Sequence, residues 1–90
     1  FKPISIFISN ITSIEAPDYV FQELEKTIFF NNLALVSLKK NDVVFSSDLL
    51  GKISEIENIF KKKKNFFITS IDYQKIFLEY NPKENAENNS

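Results

Sequence analysis

The sequence predicts an α+β fold in a single small domain, with a helix packed on one face of a sheet. Three observations carry this. Apolar residues alternate with polar ones over residues 3–11, they recur at helical spacing between residues 20 and 28, and strong strand formers fill residues 66–79. Two element orders satisfy the pattern: βαβββ, in which antiparallel strands follow the first strand and helix, and the ferredoxin-like βαββαβ. Ninety residues support one domain, assigned to residues 1–80, with residues 81–90 as a polar, flexible tail.

Ile4, Ile6 and Ile8 lie on one face of the first expected strand, with Ser5, Phe7 and Ser9 on the other. A polar connector follows. Pro17 suits the first turn of a helix, where its missing N–H is no loss. From there Val20, Phe21, Leu24, Thr27 and Ile28 define an apolar stripe, giving a helix over about residues 17–30. Asp18 and Glu23 then fall toward its positive N-terminal end. Asn31-Asn32 reads as its stop, since Asn tolerates the left-handed conformation. A second strand spans residues 33–38, a turn follows at Lys39-Lys40-Asn41-Asp42, and Val43-Val44-Phe45 begins a third strand.

The reading forks at residues 49–60. Leu49, Leu50, Ile53, Ile56, Ile59 and Phe60 fit one helical face, with Ser46-Ser47-Asp48 offering caps before it. The same residues also alternate as a long strand. Gly51 would cost a helix interior about 1 kcal/mol relative to Ala, whereas a strand could use it at a bulge. Periodicity favours the helix. Residues 66–79 carry apolar side chains on both faces, Phe67, Ile71, Tyr73 and Phe77 against Ile68, Ile76 and Leu78, and therefore read as a central strand.

Composition excludes most site chemistry. The chain has no Cys, His, Met or Trp, and all eleven of its basic residues are Lys. Without Cys or His there is no thiol or imidazole nucleophile, no Ser-His-Asp triad, no disulfide, and no zinc site of the usual ligands. No catalytic residue, cofactor or metal site is assigned, and the chain reads as non-catalytic. Glu15, Asp18, Glu23, Glu25, Glu55 and Glu57 read as solvated faces. Asn10-Ile11-Thr12 matches an N-glycosylation acceptor by pattern alone, and the lone Gly51 makes no phosphate loop. Phe, Ile, Lys and Asn fill 43 of 90 positions, which an AT-rich genome explains. No apolar run reaches the roughly 18–20 residues of a membrane span. The absent initiator Met reads as a trimmed or processed chain, or as part of a longer one.

The sharpest local feature is Lys61-Lys62-Lys63-Lys64 followed by Asn65-Phe66-Phe67. Four adjacent ammonium groups attract phosphates or carboxylates, and neighbouring aromatics can add stacking. Lys61, Lys62, Lys63 and Lys64 are therefore the candidate anion-binding residues. The competing reading is a solvated turn whose aromatics belong to the following strand. A net charge of −1 counts against nucleic acid as the main partner and leaves a localised contact with lipid phosphates or an acidic protein.

Several stretches taken in order resemble the LptE family of lipopolysaccharide-assembly lipoproteins. The first strand leads into Asn10-Ile11-Thr12, and an amphipathic helix ends near Asn31. Asp42-Val43-Val44 precedes Leu50-Gly51-Lys52-Ile53-Ser54-Glu55-Ile56, similar to the family's acidic residue, apolar run and Leu-x-Gly-x-Ile stretch. The last strand runs into Leu78-Glu79-Tyr80-Asn81-Pro82-Lys83-Glu84. The resemblance covers roughly residues 3–84. It implies the βαβββ order, with Gly51 in a strand, residues 49–60 paired with residues 66–79, and the lysines at the hairpin tip. It further implies a bacterial envelope scaffold on the periplasmic side of the outer membrane, supporting an outer-membrane β-barrel and touching lipopolysaccharide phosphates through the lysines. The ferredoxin-like order instead implies a nucleic-acid or ribonucleoprotein module; a third reading, independent of either order, is a structural subunit of a larger assembly, and the alternative location is the cytoplasm.

Overall fold

A computed structural model of the chain describes residues 2–82. The α+β class holds: seven elements form one five-stranded mixed sheet and two helices. In chain order they are β1 (Lys2–Ser9), α1 (Ala16–Glu25), β2 (Phe30–Leu38), β3 (Val43–Leu49), α2 (Ile53–Lys61), β4 (Phe66–Ile71) and β5 (Lys75–Tyr80). The strand order is β2-β3-β1-β5-β4, which leaves β2 and β4 as edges. β1 runs antiparallel to β3 and parallel to β5, while β2–β3 and β4–β5 are antiparallel pairs.

The alternation in β1 does what its period requires. Ile4, Ile6 and Ile8 are buried, joined on the same face by Val43, Phe45 and Leu49 of β3 and by Ile76, Leu78 and Tyr80 of β5. Val20 and Leu24 of α1 and Ile56 and Phe60 of α2 complete a single core against that face. Ring contacts tie the layers, Phe21 to Phe45, Tyr19 to Tyr80, and Phe60 to both Phe30 and Phe66. Among the described residues no helix covers the opposite face, where Phe7 and Phe77 stack with centroids 4.8 Å apart.

The fork at residues 49–60 resolves as helix. The strand pairing of residues 49–60 with residues 66–79 is not formed, because residues 53–61 present Ile56 and Phe60 to the core at helical spacing. β3 runs through Ser46-Ser47-Asp48, so those residues are not caps. Lys52 is the N-cap, and the Glu55 carboxylate accepts its backbone N–H at 2.9 Å. Gly51 falls in neither a helix nor a strand. It turns the chain between β3 and α2 at φ +98°, and an added Cβ would sit 3.0 Å from Phe29 and from the Glu55 carboxylate.

The ferredoxin-like order also needs correction. Residues 66–79 are not one central strand but the hairpin β4–β5, closed by Asp72 N–H donating to the Lys75 carbonyl at 2.8 Å. β5 inserts between β1 and β4, giving βαββαββ. A bulge between Ile68 and Ser70 shifts the side-chain parity, so Ile71 pairs with Ile76 on the core face rather than sharing a face with Phe67.

Two further expectations change. Helix α1 stops at Glu25, because Thr27 N–H bonds to the Leu24 carbonyl and the chain turns into β2; Ile28 is exposed instead of packed. Asn32 does adopt a left-handed φ of 56°, but inside β2, where residues 32 and 33 bulge opposite Ser47. Of the tail, residues 83–90 lie outside the described residues.

Candidate functional site: a lysine-rimmed groove

The four lysines sit at the C-terminal end of α2 and in the turn to β4, not at a hairpin tip. Local physics accounts for part of this. The last carbonyls of a helix carry partial negative charge, so Lys61 in the final turn and Lys62 at the C-cap are favourably placed, by about 0.3–1 kcal/mol each. The turn closes through Lys62 and Lys63 N–H groups donating to the carbonyls of Ile59 and Phe60 at 3.1 Å.

The four side chains are not equivalent. Lys63 reaches back to α1 and pairs with the Glu23 carboxylate at 3.4 Å, with side chains only 24% and 18% exposed. Glu23 also pairs with Lys26 at 3.1 Å. Because α1 ends at Glu25, Glu23 lies in its last turn rather than toward its positive end, and these two cations are what hold its charge there. Burial pushes the Glu23 carboxyl up, but the hydrogen bond from Lys26 and the charges of Lys63 and Lys26 outweigh it, so it titrates below its usual range. Lys61, Lys62 and Lys64 remain exposed.

Lys61, Lys63 and Lys64 line an open groove of about 620 Å³ between α2 and β4 together with Phe66, Phe67 and Ile68; Glu57 also borders it, so three lysines face one carboxylate. Phe66 is buried beneath it, as the competing sequence reading required, whereas Phe67 is 52% exposed on the uncovered face. The groove thus combines exposed point charges at Lys61 and Lys64 with an apolar wall. Lysine offers no bidentate fork, so the chemistry available is electrostatic attraction to phosphate or carboxylate plus apolar contact.

Next to the lysine turn, Asn65 begins a polar network that the sequence did not mark. Buried Asn65 donates from Nδ2 to the Tyr19 hydroxyl at 2.8 Å, and its carbonyl accepts the Asn81 N–H at 2.8 Å. Asn10 donates from Nδ2 to the Tyr80 carbonyl at 2.8 Å, so the amide of the glycosylation-like triplet is engaged in holding the sheet end. Burial pushes the Tyr80 phenol up, with the charges of Tyr19 and Glu23 acting the same way. Asn is an ordinary residue in a turn before a strand, so nothing in the sequence distinguished Asn65 as buried.

The remaining carboxylates do not converge. Glu55 caps α2, Glu25 is exposed on α1, and among the described residues no group of three or more acidic side chains is placed to hold a metal ion. A second depression of about 460 Å³ lies on the uncovered face, lined by Phe7, Val44, Phe77, Ser37, Thr69 and Lys39 among others. Lys39 and Asp42 both border it, so it has no basic excess. Among the described residues no helix is long and apolar enough to cross a membrane. Comparison with family models, with curated proteins and with solved structures returns no match.

Proposed function

We propose that this domain is a non-catalytic binding and scaffold module that contacts an anionic partner through the groove between α2 and β4. The observation that carries the reading is the convergence of Lys61, Lys63 and Lys64 with exposed Phe67 around one groove, in a chain whose net charge is −1. Local positive charge on a weakly acidic domain favours a partner that presents a compact anion over one that needs a broad basic surface. Lys61 and Lys64 supply the attraction in the groove, with exposed Lys62 adding charge beside it, while Lys63, held by Glu23, lines its wall. The resemblance to the LptE family adds lipopolysaccharide phosphates as one source of that anion and an outer-membrane β-barrel as the assembly served, in the periplasm.

The test is binding to lipopolysaccharide micelles and to an acidic peptide, with Lys61, Lys62 and Lys64 replaced together by Ser. Binding that weakens in the variant and falls with salt supports the groove; equal binding at low salt removes it. Lys63 is left intact so that the Glu23 contact does not confound the result.

A second reading is favoured by a separate observation. The Phe7–Phe77 pair, on the central strands β1 and β5 of the face opposite the helices, offers aromatic surface of the kind that stacks on bases. Single-stranded RNA or DNA would then lie across that face. Failure of either to bind at ~50 mM salt, where phosphate contacts are strong, dismisses this reading.

A further inference from the structure

We infer that β4 accepts an extended acidic segment of a partner protein as an added sixth strand, seated along the lysine groove. This rests on the groove being the contact surface and names what occupies it. β4 is an edge of the sheet, and among the described residues no strand pairs with its outer side. Its outward backbone N–H and C=O groups therefore form a template that only another peptide chain satisfies in full. The same edge borders the groove, where Lys61, Lys63 and Lys64 outnumber the one carboxylate, Glu57, beside the apolar Phe67 and Ile68. Edge, apolar wall and positive charge coincide at this one place.

The geometry constrains the occupant. The bulge between Ile68 and Ser70 limits regular pairing to the first half of β4, so the added segment is short, about three residues of ladder with flanking side-chain contacts. Side chains of an added strand alternate between the two faces. One set meets Phe67 on the uncovered face and the other meets Ile68 and the groove. Antiparallel addition brings the segment's C-terminal end toward Lys64 and Lys61, and that end carries the carboxylates. The other edge, β2, is less suited: two bulges interrupt its nine residues, and the lysine groove does not border it.

The probe is a fluorescein-labelled peptide, Thr-Val-Thr-Val-Asp-Glu-Asp, titrated with the whole chain and read by anisotropy. Saturable binding is expected. N-methylation of both Val amides should weaken it about tenfold or more, because a strand that has lost its donors cannot complete the ladder. The Lys61→Ser, Lys64→Ser variant, checked for an unchanged melting profile, should weaken it by about tenfold, more so at low salt. An N-methylated peptide that binds as well as its parent overturns strand addition while leaving the groove as a plain anion site. Loss of strand addition together with tighter binding to anionic vesicles or to oligonucleotides assigns the groove to phosphates instead. Absence of peptide binding to the unaltered chain overturns the inference outright, and a lysine variant that binds every anionic probe normally overturns the groove reading as well.

Discussion

Single residues set the constraints most sharply at Gly51 and Glu23. Gly51 is required by its backbone and by the space around it: φ is +98°, and Phe29 and the Glu55 carboxylate stand 3.0 Å from where a Cβ would be. Gly51→Ala should therefore destabilise the domain by about 1–3 kcal/mol in urea unfolding; a neutral substitution would mean that the β3–α2 turn is drawn wrongly. Glu23 joins α1 to the turn after α2 through Lys63, forty positions away in sequence. Its carboxyl is lowered on folding, so the contact stabilises the protein above the usual carboxylate range and is lost as pH falls through the folded value. Glu23→Gln should flatten the acid limb of a stability-against-pH curve while changing neutral stability by about 1 kcal/mol or less. An unaltered acid limb would show that the pair does not contribute.

At the scale of elements, α2 decides the topology and Phe60 anchors it. Phe60 is almost wholly buried and meets the rings of both Phe30 and Phe66, linking the two edge strands through one helix. Phe60→Ala should cost about 3–5 kcal/mol. By contrast, Ile14→Ala, at a side chain 96% exposed, should stay within about 0.5 kcal/mol. Equal effects at the two positions would contradict the core described above.

How far these elements were legible depends on what specifies each one. β1 was legible because alternation alone fixes which face of Ile4, Ile6 and Ile8 is buried. α2 was legible in its period but not against the resemblance, since Gly51 suits a helix interior poorly and no residue announces that it precedes the helix. The β4–β5 turn at Asp72-Tyr73-Gln74 contains no Gly, Pro or Asn, so Asp72, whose carboxylate accepts the Tyr73 N–H, is its lone local mark, and the bulge near Thr69 hid the parity change. Of the candidate site, the lysines were plain in sequence. The Glu23 partner, the Asn65–Tyr19 bond and the groove itself arise from long-range packing and were not.

For the whole molecule, the described residues cover the sheet with helices on one face and leave two kinds of surface open: the face around Phe7 and Phe77, and the edge at β4 with its lysines. The lysines of the cluster are unequal: Lys63 is tied to Glu23, whereas Lys61, Lys62 and Lys64 are exposed. The most direct measurement is amide chemical-shift mapping of the full chain titrated separately with the acidic peptide and with single-stranded RNA. The account predicts that the peptide shifts amides of residues 61–68, with smaller changes on β5, and leaves Phe7, Val44 and Phe77 in place. Shifts centred on Phe7 and Phe77, or none near residues 61–68, would contradict it.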